Sequence, residues 1–192
     1  MVIALVLAGC GNVTEMDESE FWHLIETSRE GTDDPWAQAD RLATLLGQKF
    51  PHQIVAFDRI FQRKMQDAHS WDLWALAYIA NGGASTDGFV YFRCWLIGQG
   101  QTYFEQVIND PHSFAPVPGV FPGMYENEQL LYVAMEASRS GTGEEIPPPE
   151  LDPTASWEPS GEPWKEEDLP TLFPEVSNRF NNLNFAPPGS QF

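Results

Sequence analysis

Two strongly apolar runs, separated by a glycine-rich turn, occupy residues 70–100 in the middle of the chain. In the first run apolar side chains fall on all sides of a helical wheel, which predicts a helix covered by neighbours on every face. The Asn-Gly-Gly sequence at 81–83 ends this helix, because glycine tolerates the left-handed backbone of a C-cap. Ser85 or Thr86 is expected to cap the second helix. The two helices are expected to form the centre of the fold.

Amphipathic patterns on both sides of this centre predict further helices, and no stretch alternates as a β-strand does. Three helices are expected before it and two after it. The first helix runs from Asp17 to Arg29, the second starts at Asp34-Pro35 and the third starts at Pro51. The two later helices span 102–109 and 126–138. The sequence therefore predicts an all-α fold, a compact bundle of about six to seven helices.

The composition divides the chain into three parts: an N-terminal extension at 1–15, a helical domain at 16–140, and an acidic, proline-rich tail at 141–192. Ten of the 16 prolines lie in that tail, together with ten acidic residues. This composition predicts a partly extended segment. The tail also contains large apolar residues, so it either straps across the helices or remains free: Trp157, Trp164, Leu172, Phe173 and Phe180.

The formal net charge of −18 limits the partners of this chain. Binding to phosphate backbones depends on lysine and arginine, so nucleic acid is not an expected partner. Anionic membrane surfaces are disfavoured for the same reason, whereas basic proteins and cations are permitted. The net charge alone does not distinguish a basic protein from a cation as the partner.

The two cysteines, Cys10 and Cys94, do not form a disulfide framework, and neither lies in a motif with zinc-ligand spacing. No metal and no cofactor is therefore expected. Cys94 lies in an apolar run without a nearby histidine, which favours a buried, inert thiol over a nucleophile.

The tetrapeptide at 7–10, Leu-Ala-Gly-Cys, resembles a bacterial lipoprotein box, in which Cys10 would be acylated and anchor the chain to the envelope. No lysine or arginine precedes the short apolar run, as a signal peptide requires. The favoured interpretation is that synthesis begins at Met16 and that the protein is cytoplasmic. An apolar extension without a targeting role is a third possibility.

The segments DESEFWHLIE, LWALAYIANGGASTDGFVYFRCWLIGQGQTYFEQVI and NDP resemble the bacterial domain-of-unknown-function family 4240 over roughly residues 16–139. The resemblance implies the fold and the class of protein, and it brings no established activity. The family often has a cysteine before an acidic pair where this chain has the Ala-Ser-Thr-Asp sequence at 84–87. One acid of that pair is therefore expected here, Asp87, which weakens any chemistry that needs both.

Arg93 is the charged residue of greatest interest in the central segment. At about 100° per residue it falls within about 60° of apolar Phe89 on the helical wheel, which predicts partial burial. A buried guanidinium needs a carboxylate or a set of carbonyls beside it. One interpretation is a structural ion pair with Asp72 or Asp87. The other is a site for an anionic ligand, with Asp87, Arg93, Trp95, Tyr91 and Trp74 as the binding residues.

The four histidines are scattered without a catalytic motif, so enzymatic activity stays open. The leading hypothesis is a binding or protein-interaction module, with an unknown protein partner and the acidic tail as its adaptable surface. The alternative is a small enzyme or ligand-binding domain that acts on a small anionic molecule around Asp87, Arg93 and Trp95.

Overall fold

A computed structural model describes residues 15–182, apart from 142, 144 and 148–156. This part of the chain contains helices and no β-strand, which confirms the all-α prediction. Seven α-helices lie before residue 142 and two short ones follow: α1 Glu18–Arg29, α2 Pro35–Leu46, α3 Pro51–Asp67, α4 Trp71–Asn81, α5 Thr86–Gly98, α6 Gln101–Asn109, α7 Val133–Gly141, α8 Leu169–Leu172 and α9 Pro174–Asn181. Cys10 lies outside the described residues.

The predicted capping residues begin and end these helices. The Asp17 carboxylate accepts a hydrogen bond from the amide of Glu20 at 2.8 Å, and Asp34 caps α2 with Pro35 in its first turn. Ser85 rather than Thr86 caps α5, accepting from the amide of Gly88 at 3.1 Å. Each cap satisfies an amide that the first helical turn leaves unpaired.

The core surrounds α4 and α5. Gly82 ends α4 in the left-handed conformation, with φ of 69°, which lets the chain turn back so that α5 packs beside α4. Cys94 is fully buried, and burial raises the pKa of its thiol to about 12. The prediction that Cys94 is buried is thereby confirmed. Helices α1 and α3 pack on α5, and α9 packs on α4. Helix α2 packs on α1 and α7, and α7 packs on α3.

Residues 157–182 pack against the helical domain and supply part of its core. The backbone of Ser160 exchanges two hydrogen bonds with the stretch that leads into α4, and the Trp164 indole donates to the Trp71 carbonyl oxygen at 2.7 Å. Four apolar side chains of this segment are at most 4% exposed: Leu169, Phe173, Val176 and Phe180. In this part of the tail the docked alternative is correct.

The observed elements differ from the predicted ones at two places. The helix expected at 126–138 begins as a separate 3₁₀ turn, Glu128–Leu131, and its α-helical part, α7, follows. The helices α8 and α9 are not predicted, because prolines suggest irregular structure. Pro170 and Pro174 occupy the first turns of these helices, where a missing amide hydrogen costs nothing.

Asp58 on α3 is a buried carboxyl that should lower stability near neutral pH. Its side chain is in the core and the residue is 8% exposed; desolvation raises its pKa and outweighs a hydrogen bond from Gln62. The folded state therefore binds the proton more tightly than the unfolded state. Protonation of Asp58 stabilises the fold at low pH, and this stabilisation is lost as pH rises through the raised pKa.

We therefore expect Asp58→Asn to raise the melting temperature near neutral pH, and the gain to shrink as pH falls toward about 4. Thermal unfolding at several pH values measures this difference. Asp40→Asn, which removes a charge from an exposed position on α2, is the control for the net charge. An equal gain in both variants would assign the effect to general repulsion among acids.

Candidate functional site

Arg93 reaches from α5 to the C-terminal end of α3. Its Nη1 donates a hydrogen bond to the Met65 carbonyl oxygen at 2.8 Å. Carbonyls in the last turn of a helix lack an amide partner within the helix, and here the amide of His69 bonds to Gln66 at 2.9 Å instead. Arg93 thus caps α3 and places a positive charge at the negative end of its dipole.

The ion pair expected between Arg93 and Asp72 or Asp87 is not present. Arg93 takes part in none of the ion pairs within the described residues. Its Cζ lies 4.6 Å from the centre of the Phe89 ring, in a cation–π contact. Burial lowers the pKa of Arg93. A carbonyl and an aromatic face therefore take the place of the carboxylate.

Trp74 on α4 and Arg93 on α5 both contact Phe89 of α5. The Trp74 and Phe89 rings stack with centroids 5.0 Å apart and an angle of 8°. The Trp74 indole donates to the Ala84 carbonyl oxygen at 3.0 Å. The Phe89 ring thus contacts both the Arg93 guanidinium and the Trp74 indole.

The other three residues of the predicted ligand site lie on other sides of α5. Asp87 is exposed in its first turn. Tyr91 is half-buried, and burial together with the charges of Glu128 and Asp87 raises its pKa. Trp95 is 2% exposed and packs edge to face on Tyr125, with ring centroids 4.8 Å apart. The structure does not bring the five residues together in one cleft.

A cleft with a volume of about 410 Å³ opens at the end of α1. It lies between the turn that joins α1 to α2 and the C-terminal end of α5. Three acidic residues and one arginine are among the residues that line it: Glu26, Arg29, Glu30, Gly31, Thr32, Asp33 and Gln99. We call it the α1–α5 cleft.

A smaller cavity of about 10 Å³ shares four lining residues with the α1–α5 cleft. Gln38 and Trp95 line it, together with Pro35 and Val120. Its size is that of about one water molecule. We call it the inner cavity. Trp95 is thus the one predicted site residue that borders the inner cavity, and none of the five lines the α1–α5 cleft.

The position of Arg29 in the α1–α5 cleft is fixed by α5. Its Nη1 donates to the Gln99 carbonyl oxygen, just past the last turn of α5, at 3.1 Å. No ion pair within the described residues includes Arg29, Glu26, Glu30 or Asp33. The guanidinium retains further donors, and the three carboxylates lack a cationic partner in the described chain.

The sequence gives little indication of this cleft. The Gly-Thr-Asp-Asp-Pro sequence at 31–35 reads as a helix stop and restart, which is correct, and it does not reveal that Gln99 lies opposite. The signal available in the sequence is Arg29 between acidic residues at the end of α1. Within the described residues, no three His, Cys, Asp or Glu side chains are placed to hold a metal ion.

The described helices form a small all-α domain with one hydrophobic core, and α4 and α5 lie at its centre. Residues 16–139 match the family described as protein of unknown function DUF4240, and the chain belongs to that family. No curated protein and no solved structure matches the chain. None of the helices in the described residues is long and apolar enough to cross a membrane.

Arg93→Ala is expected to lower the free energy of unfolding by about 2 kcal/mol, because it removes a hydrogen bond from a charged donor and leaves the Met65 carbonyl unpaired. Chemical denaturation measures the change. Arg63→Ala, at an exposed position on α3, should stay within about 0.5 kcal/mol of the wild type. An Arg93→Ala variant as stable as the wild type would show that the cap does not stabilise α3.

Proposed function

We propose that this chain is a binding module that holds a small polar ligand in the α1–α5 cleft. The observation that carries the proposal is a set of charged groups that face one cleft and lack ion-pair partners in the described chain: Glu26, Arg29, Glu30 and Asp33. The volume of about 410 Å³ falls in the range of small-molecule sites. Arg29 is half-buried and has no acidic partner in the described chain, so its remaining N–H groups are available to a ligand in the cleft.

A protein partner with a basic surface is the second candidate. The net charge of −18 favours such a partner, and Trp36 and Phe50, each more than 60% exposed, offer apolar contact area. Truncation near Ser140 is unsuited to test it, because it would remove Phe180 and other core residues of the tail. Co-purification with the full chain is the suitable measurement.

The alternative of a site for a small anion at Asp87, Arg93 and Trp95 stays a prediction with less support. Arg93 is engaged with Met65 and Phe89, and Trp95 packs among the aromatic residues of the core. Arg29 is better placed to meet a ligand than Arg93, since it lines an open cleft.

The proposal is tested by a thermal-shift screen of the full chain against small cations, anions and neutral metabolites. A ligand that binds the folded state raises the melting temperature by mass action. Each compound that does so is then measured on Thr32→Trp, which fills the cleft without changing its charge. Thr102→Trp, at an exposed position on α6, is the matched control.

The expected result is a shift that disappears in Thr32→Trp and persists in Thr102→Trp. Equal shifts in both variants would place the ligand elsewhere and overturn the α1–α5 cleft as the site. If no compound in the screen shifts a sample that melts cooperatively, the small-ligand proposal is rejected in favour of the protein partner.

We further infer a cytoplasmic location, because two cysteines do not make the disulfide framework that is typical of small secreted domains. The lipid-anchored alternative depends on Cys10 alone. Intact mass spectrometry of the protein from its native host tests the two, because acylation of Cys10 would add the mass of the lipid and remove the residues before it.

A further inference from the structure

The docked part of the tail consists of two stretches that differ in burial. Residues 169–181 include α8 and α9 and supply four side chains to the core. Residues 157–168, which we call the strap, lie on the surface. Ten of these twelve residues are exposed, and Trp164 is their one large apolar side chain that is half-buried. The strap is therefore held by few buried side chains, whereas α8 and α9 anchor the tail in the core.

The strap occupies a surface formed by the turn before α4 and by one side of α4. The Ser160 amide donates to the His69 carbonyl oxygen at 3.0 Å, and the Ser160 carbonyl oxygen accepts from the Trp71 amide at 2.9 Å. The Trp164 indole donates to the Trp71 carbonyl oxygen at 2.7 Å. Its ring meets the rings of Trp71 and Tyr78 edge to face, with centroids 6.3 and 5.4 Å apart. We call the stretch from His69 to Trp71, together with Tyr78, the α4 surface.

The strap shows which chemical groups the α4 surface binds. The His69 carbonyl and the Trp71 amide bond to main-chain groups, which any extended chain presents. The Trp71 carbonyl oxygen and the two aromatic rings suit an indole, because an indole combines one N–H donor with a large flat body. The Tyr78 phenol interacts with the Glu166 carboxylate, which raises the pKa of Tyr78. A fitting occupant is thus an extended segment with a tryptophan and, two residues later, a hydrogen-bond acceptor.

The α4 surface lies within the residues that match the family, and the strap lies beyond them. We propose that the α4 surface is a docking site for an extended, tryptophan-containing segment of a partner protein, and that the strap is the intramolecular competitor that the partner displaces. Displacement leaves the anchor in place, because the core side chains of the tail all follow residue 168. This inference is independent of the α1–α5 cleft.

Incomplete cover by the strap allows a separate molecule to compete with it. A tethered segment has an effective concentration on the order of millimolar, which favours the strap. Trp71 and Tyr78, however, both stay partly exposed beneath the strap. A partner that covers both rings buries apolar surface that the strap leaves in water, and this burial favours the partner.

Amide hydrogen exchange of the wild-type chain tests whether the strap opens while the anchor stays docked. The amides of Ser160 and Trp71 bond across the contact between strap and α4 surface, and the amide of Ser177 bonds to the Phe173 carbonyl oxygen within the anchor. We expect the first two to exchange at least about tenfold faster than the third, relative to their intrinsic rates. Equal protection of all three amides would show that the strap opens only with the whole tail, which would overturn the proposal.

A fluorescent peptide with the sequence of residues 157–168 is the probe for the docking site. Its anisotropy is measured with the full-length wild type, with Trp164→Ala, which weakens the strap, and with Trp157→Ala as the matched control, since Trp157 is 89% exposed. We expect Trp164→Ala to bind the peptide at least about tenfold more tightly than the other two proteins, because a closed strap lowers the fraction of chains that can bind. A peptide that carries Trp164→Ala should not bind.

Ser160→Pro weakens the strap by a second route, because proline has no amide hydrogen to donate to the His69 carbonyl oxygen. It replaces Trp164→Ala if that variant does not melt cooperatively. Equal binding of the peptide to the wild type and to the weakened variant, or binding to neither, would overturn the proposal. Wild-type dimers that are lost in Trp164→Ala, measured by light scattering, would assign the α4 surface to the strap of a second copy instead of a partner. None of these results changes the test of the α1–α5 cleft, which depends on Thr32→Trp.

Discussion

Phe180→Ala is expected to lower the free energy of unfolding by about 3–5 kcal/mol. Phe180 is 1% exposed although it lies beyond the residues that match the family. Its ring stacks on Phe114 with centroids 5.2 Å apart, and it meets Tyr125 edge to face at 5.3 Å. Truncation to alanine leaves a cavity among these rings that the surrounding helices fill only in part.

Chemical denaturation of the wild type and the variant measures this effect. Leu172→Ala is the control within the same segment, because Leu172 is 47% exposed and should cost about 0.5 kcal/mol or less. If Phe180→Ala and Leu172→Ala had equal small effects, the tail would not be part of the folded core in solution.

Trp95→Ala is expected to have an effect of the same size, about 3–5 kcal/mol. Its ring lies within 6.3 Å of four other aromatic rings, counted between centroids: Phe92, Tyr103, Phe114 and Tyr125. Such contacts add to the free energy of burial. Trp95 was expected from the sequence to line a ligand site, and most of its surface packs in the core.

The matched control is Trp36→Ala, since Trp36 is 63% exposed on α2 and should leave the melting temperature nearly unchanged. A Trp95→Ala variant that melts with the wild type and has lost only a ligand would contradict the structural role. Near-ultraviolet circular dichroism of both variants shows whether the aromatic core keeps its packing.

Local features of the sequence predict most of the helices, because caps and turns depend on residues close in the chain. Asp17, Asp34 and Gly82 each act within four residues of their own position. The all-round apolar pattern of α4 predicts a helix with neighbours on every face. It does not predict that residues of the tail supply one of those neighbours.

The partner of Arg93 shows where such reasoning fails. Burial of a guanidinium predicts that a carboxylate or carbonyls meet it, and the candidates closest in sequence are Asp72 and Asp87. The observed acceptor is the Met65 carbonyl, 28 residues away. An unpaired carbonyl exists at the end of every helix, so the sequence does not distinguish this one until the packing of α3 on α5 is known.

The α1–α5 cleft could not be predicted for a related reason. It combines Arg29 and Asp33 from the end of α1 and the following turn with Gln99 from the end of α5. No spacing along the chain links these positions. Their proximity results from the packing of α1 on α5. That packing joins the apolar faces of the two helices, and the polar groups at the helix ends do not determine it.

The contact between Trp164 and Trp71 also has a consequence during protein synthesis. The two residues are 93 positions apart, which corresponds to about 5–20 s of translation at about 5–20 residues per second. For that interval the aromatic edge of α4 has been made and its covering segment has not. Exposed apolar surface of this kind promotes aggregation of nascent chains, so chaperone supply during expression should affect the yield of folded protein.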